Sequence, residues 1–124
     1  MLLFIAINTS AKSDGFIVKN VNKRIPASIT LAGINPSAYN FALKGLNSIE
    51  DSLNKKFRYL AVVDFSKPST ERRFYLIDLT DTSIVCTDYV CHGKYSGENF
   101  TTSFSNEIES NKSSLGFYML SETY

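Results

Sequence analysis

The hydrophobic period of this chain changes at Phe57, and that change limits the folds open to it. Upstream, NPSAYNFALKGLNSIEDSLN (residues 35–54) places Ala38, Phe41, Ala42, Gly45, Leu46, Ile49 and Leu53 at steps of three and four, one stripe of a helix. Asn35 suits the N-cap, Pro36 the first helical position, where an N–H has no partner anyway, and Ser37 a polar first turn. Gly45 weakens such a helix by about 1 kcal/mol relative to alanine. A glycine there predicts a neighbouring element packed closely against it.

Downstream, FRYLAVVDF, FYLIDL and SIVCTDYVCHG are rich in aromatic and β-branched residues and read as strands. The polar SKPSTERR and the tight TDT between them are too short to carry crossover helices. The three strands therefore form an antiparallel meander and not a βαβ unit. A long polar stretch, NFTTSFSNEIESNKSS, leads to a further strand beginning at LGFYML. The expected class is α+β, mainly β, an N-terminal helix followed by an antiparallel β meander.

Composition narrows function. At 124 residues, 44% hydrophobic, with nine Phe and seven Tyr, the chain fits one folded domain with a real core. Thirteen basic residues against twelve acidic give a net charge of +1, so no nucleic-acid partner is expected. The short basic spots at Lys55, Lys56 and Arg58, and at Arg72 and Arg73, read as solvated ends of elements.

Residues 1–11 stand apart. MLLFIAI is too short to span a bilayer, so no transmembrane segment is expected there. Thr9, Ser10 and Ala11 resemble a signal-peptidase site, yet no basic region precedes the apolar run. Three readings stay open: a signal peptide whose start lies upstream, a misplaced start, or a first buried strand. Residues 12–34 have no clean period and read as an approach segment to a domain at residues 35–124.

VCHGKYSG, residues 90–97, holds the only histidine beside one of two cysteines. On a strand, Cys91 and His92 point to opposite faces. Cys86 and His92 share a face but sit roughly 20 Å apart, against the ~3 Å that a thiol–imidazole pair needs. Cys86 and Cys91 face opposite ways and cannot form a disulfide within a regular strand. One His and two badly spaced Cys match no structural zinc pattern, so no metal and no cofactor is expected. Cys86 and Cys91 read as small buried hydrophobes, His92 as a strand-end residue, and His92, Lys94 and Ser96 as the candidates for substrate contact. Asp64 and Asp78 each close a strand before a turn, where a carboxylate bonds backbone amides. Ser113 and Ser114 have no base except His92 and no nucleophile elbow around them.

RYLAVVDFSKPSTERRFYLIDLT, followed by CHGKYSG, TSFSN and NKSSLGFY, resembles the murein L,D-transpeptidase catalytic domain family, the YkuD-like proteins. The resemblance runs from about Asn35 to Tyr124, and Gly116 and Phe117 match a landmark of the family. It implies a partial L,D-transpeptidase-like β-sandwich, peptidoglycan stem peptides as substrate, and a place in the cell envelope, periplasmic or secreted. In the family a cysteine thiolate forms an acyl-enzyme that an amine resolves. The catalytic His-Gly and Ser-x-Gly-Cys segments lie downstream of the Phe117 strand, and this sequence ends at Tyr124 before either. The CHG at 91–93 precedes the landmark glycine, so no catalytic residue transfers to this chain.

Two functions follow as expectations. One is a truncated, inactive form of a transpeptidase-like protein. The other is a non-catalytic envelope binding or accessory module, dimeric through an exposed strand edge. A cytoplasmic β-rich domain whose apolar start is a core strand is a third.

Overall fold

In a computed structural model, residues 2–7 and 25–120 are described. They form β1 (Leu2–Ile7), α1 (Ala27–Leu31), α2 (Pro36–Leu53), β2 (Tyr59–Asp64), β3 (Phe74–Asp78), β4 (Ser83–Asp88) and β5 (Gly116–Leu120). The strands make a single five-stranded sheet in the order β4-β3-β2-β1-β5. The α+β class holds, with the helix and then the meander β2-β3-β4, antiparallel throughout. Among the described residues the sheet is open, with no second sheet packed on it.

The helix follows its sequence grammar. Asn35 caps α2 by accepting the Ser37 N–H at 2.9 Å, and Pro36 is its first residue. Ala38, Tyr39, Ala42 and Leu46 are buried against Leu60, Val62, Tyr75 and Ile77 of the sheet. Each large apolar side chain buried this way contributes roughly 1.5–3 kcal/mol. Gly45 has the close neighbour it predicts: a Cβ there would collide with the edge of the Phe117 ring. Phe117 also stacks on Phe41, with centroids 5.7 Å apart and planes at 23°. That pair, worth about 0.5–1.5 kcal/mol beyond area, offsets the helix cost of the glycine.

The C-terminal turn of α2 carries a buried acid that periodicity did not mark. Glu50 accepts the Phe57 N–H at 3.0 Å and the Lys56 ammonium at 2.9 Å. A negative charge at a helix C-terminus is unfavourable by itself. Its two bonds offset that cost and fix the turn into β2.

Three segments gain definition in the structure. The run SIVCTDYVCHG is a strand only to Asp88, where Tyr89 N–H turns back to the Asp88 carboxylate at 2.7 Å. Residues 12–34, read as an approach segment without a clean period, contain α1, pinned by Ser28 Oγ donating to the Thr82 carbonyl at 2.6 Å. Leu2–Ile7 is the fourth strand of the sheet, parallel to β2 and antiparallel to β5. The rest of the leader reading, Met1 and residues 8–11, lies outside the described residues.

The β4 edge is blunted twice. Register shifts between Leu76 and Ile77, leaving Val85 as an extra residue, 53% exposed. The Arg73 N–H bonds the Asp88 carbonyl on the β3 side, so the adjacent Thr87 carbonyl faces outward. Arg72 Nη1 covers it at 3.1 Å and stacks its guanidinium over Tyr89.

Candidate functional site

The VCHGKYSG segment closes around a buried arginine. Arg73, next to the first residue of β3, is fully inaccessible, which corrects its reading as a solvated end; Arg72, Arg58, Lys55 and Lys56 are exposed as expected. A guanidinium has five N–H donors, and burial demands an acceptor for each. Nε and one Nη2 hydrogen reach the Val90 carbonyl at 3.0 and 2.6 Å. The other Nη2 hydrogen reaches His92 Nδ1 at 3.0 Å. Nη1 donates to the Lys67 carbonyl at 3.0 Å and to Thr101 Oγ1 at 3.1 Å. The Phe65 ring lies 5.0 Å below the guanidinium carbon. Burial pushes the guanidinium down from its usual value, against the opposing pull of Cys91 and Asp64.

That network assigns His92 its tautomer. Nδ1 accepts from Arg73 and from the Thr101 hydroxyl, 3.0 Å away, so the hydrogen sits on Nε2, which donates to the Gly97 carbonyl at 2.9 Å. Both ring nitrogens are engaged inside the protein, and neither is aimed at a thiol.

Ser96 is equally committed. Fully buried, its Oγ accepts the Ser113 N–H at 2.7 Å, and its carbonyl accepts the N–H groups of Thr102 and Ser103 at 2.7 and 3.0 Å. Gly93 N–H donates to Ser113 Oγ at 2.8 Å, and a Cβ on Gly93 would collide with the backbone of Asn111 and Lys112. Glycine is required there for close approach. Of the three candidates, only Lys94 faces solvent, its ammonium 5.4 Å above the Tyr95 ring. The structure brings His92 and Ser96 into one braced turn and leaves Lys94 outside it.

The remaining chemistry-bearing groups are dispersed. Cys86 and Cys91 are free and exposed, which corrects their reading as buried hydrophobes: β4 is an edge strand, and Cys91 lies beyond its end. Asp64 and Asp78 have the turn roles expected of them. Asp64 Oδ1 accepts the Ser66 N–H at 3.0 Å, and Asp78 Oδ1 accepts the Thr80 N–H at 3.0 Å. Asp64 Oδ2 is buried with no partner among the described residues. Ser113 Oγ serves Gly93, and Ser114 Oγ donates to the Ser105 carbonyl at 3.0 Å. Among the described residues, no three His, Cys, Asp or Glu side chains converge as metal ligands.

Gly116 and Phe117, the landmark pair, open β5, with Gly116 at φ +140° and Phe117 seated on α2. The L,D-transpeptidase catalytic domain family, YkuD_2, matches residues 30–124, well over half the chain. The chain belongs to that family. Family membership implies peptidoglycan as substrate and association with the cell envelope. No curated protein and no solved structure matches. No helix among the described residues is long and apolar enough to cross a membrane.

Sequence reasoning missed Arg73, the centre of this arrangement. Its one available signal was position: an arginine flanking the apolar run FYLID, opposite the buried VVD of the neighbouring strand. A charge that close to a core is buried with acceptors or it is not buried.

Proposed function

We propose that this chain supplies scaffold of a murein L,D-transpeptidase acting on peptidoglycan stem peptides at the periplasmic or outer face of the cell envelope, and that it performs no acyl transfer by itself. Residues 1–124 hold no Ser-x-Gly-Cys segment, so on this reading the nucleophile and its base must come from further polypeptide. The observation that carries inactivity is His92. Acyl transfer needs a base within hydrogen-bond reach of the thiol, and the only imidazole spends both nitrogens on Arg73, Thr101 and Gly97.

Incubation of the purified chain with disaccharide-tetrapeptide muropeptides, followed by mass spectrometry, tests this. The expected result is no released D-amino acid and no acyl adduct on Cys86 or Cys91. An adduct on either thiol would overturn the assignment.

A second reading, an accessory envelope module that is dimeric through a strand edge, is favoured by one observation. β5 is an edge strand whose Phe117, Tyr118 and Met119 are each more than a third exposed, with no charge along it. Light scattering with size exclusion distinguishes the two, since the first reading requires no pairing of copies.

A further inference from the structure

The family match begins at residue 30, yet the sheet formed by the matched residues is joined by a strand from outside the match. β2 and β5 share no ladder in the order β4-β3-β2-β1-β5. β1 pairs with both: Leu2↔Tyr59 through Ile7↔Asp64 on one side, and Leu2↔Leu120 through Ala6↔Gly116 on the other. Remove β1 and two strand edges, each with a row of unpaired N–H and C=O groups, face an open slot.

The slot has a definite chemistry. Its β2 wall alternates Leu60 and Val62, fully buried on the α2 side, with Ala61 and Val63, buried on the other. Its β5 wall presents Phe117 and Met119 at the register positions opposite the same two β1 residues that face Val62 and Leu60. No charged residue stands on either wall between Tyr59 and Val63 or between Gly116 and Leu120. At the end where β1 reaches Ile7, Asp64 closes the wall, with the one buried side-chain oxygen that lacks a partner among the described residues.

We propose that the space between β2 and β5 is a strand-acceptor site whose ligand is an extended, uncharged, apolar hexapeptide running parallel to β2, with Leu2–Ile7 as an exchangeable occupant. Backbone bonding to two edges supplies the affinity, and the apolar walls select against charge. Because the β2-β3 and β3-β4 ladders do not involve β1, a free segment takes its place without any reordering of the β2-β3-β4 meander. The tether makes the native occupant intramolecular, and cutting it converts the contact into an ordinary binding equilibrium.

The test uses the full chain with a protease site introduced among residues 8–24, folded first and then cut. A labelled synthetic peptide of residues 1–11 is added to the cut protein. The expected result is saturable incorporation of label that survives gel filtration. Backbone hydrogen exchange across Tyr59–Asp64 and Gly116–Leu120 should be at least about tenfold slower in the filled than in the emptied state. A peptide carrying Leu3→Asp and Ile5→Asp should not incorporate. Loss of the cut segment with no change in exchange at either strand would overturn the site. Equal uptake of the charged peptide would overturn its specificity, and a cut segment that neither leaves nor exchanges would overturn the exchangeable occupant. None of these readouts uses acyl transfer, so they fail or succeed independently of the transpeptidase reading.

Discussion

Arg73 and His92 are joined by a 3.0 Å hydrogen bond in which the guanidinium donates and the imidazole accepts. That direction sets the work of both residues: the arginine is held as a fully served buried cation, and the histidine becomes a structural acceptor. Replacing Arg73 with methionine leaves the Val90 and Lys67 carbonyls and Thr101 Oγ1 without their donor at once, and His92 Nδ1 with the Thr101 hydroxyl alone. Each buried unsatisfied group costs about 1–3 kcal/mol, so Arg73→Met should lose about 3 kcal/mol or more in urea denaturation. Arg73→Lys should recover little, because one ammonium cannot reach the same set of acceptors. The ¹⁵N shifts of His92 should report hydrogen on Nε2, and an Nδ1-H tautomer would contradict the network.

Gly45→Ala sets two effects against each other. The helix gains about 1 kcal/mol from alanine, while the new methyl collides with the edge of the Phe117 ring and overpacking costs about 1–3 kcal/mol. A net loss is expected, seen as a lower denaturation midpoint. Phe117→Leu in the same chain should relieve the clash. The double variant should then be more stable than the sum of the single changes, a coupling that separate measurements can resolve.

Asp78 makes stability acid-sensitive. The Thr80 hydroxyl, then the Thr80 N–H, hold its carboxyl below the ordinary aspartate value, with Arg58 adding a smaller pull. A depressed folded value means the contribution is present above the unfolded value and is lost as pH falls through the folded one. Thr80→Val removes the largest cause, so the carboxyl should titrate at higher pH, read from its ¹³C shift. Lys56 works in the opposite direction. The Glu50 carboxylate raises its ammonium, so that contribution is present below the ordinary lysine value and is lost as pH rises through the folded one. Glu50→Gln should abolish the alkaline component.

The two thiols should react with a disulfide reagent in the native state, without denaturant, because both are exposed and unpaired. Cys86→Ser and Cys91→Ser should each change stability by no more than about 0.5 kcal/mol. A protected thiol at either position would show that the face is covered in solution.

How much of this was legible in the sequence depends on whether a residue's surroundings are local. The α2 cap at Asn35, the strands at Tyr59 and Phe74, and the turn roles of Asp64 and Asp78 follow from neighbours within a few residues, and they were readable. The need for a close partner at Gly45 was readable too, although its identity, Phe117, was not. Arg73 was misread because its five hydrogen bonds go to four acceptors, on residues 67, 90, 92 and 101, brought together only by the meander. The strand fate of Leu2–Ile7 was one of three open readings, since an apolar run of that length has the same pattern whichever it is.

The sealed edge of β4 has a consequence for growth. With Val85 displaced and the Thr87 carbonyl already taken by Arg72, the margin left for new strands among the described residues is that of β5. Two copies that meet there use up each other's free margin and leave only sealed ones outside. Stacking of this kind ends at a pair and does not run on into filaments.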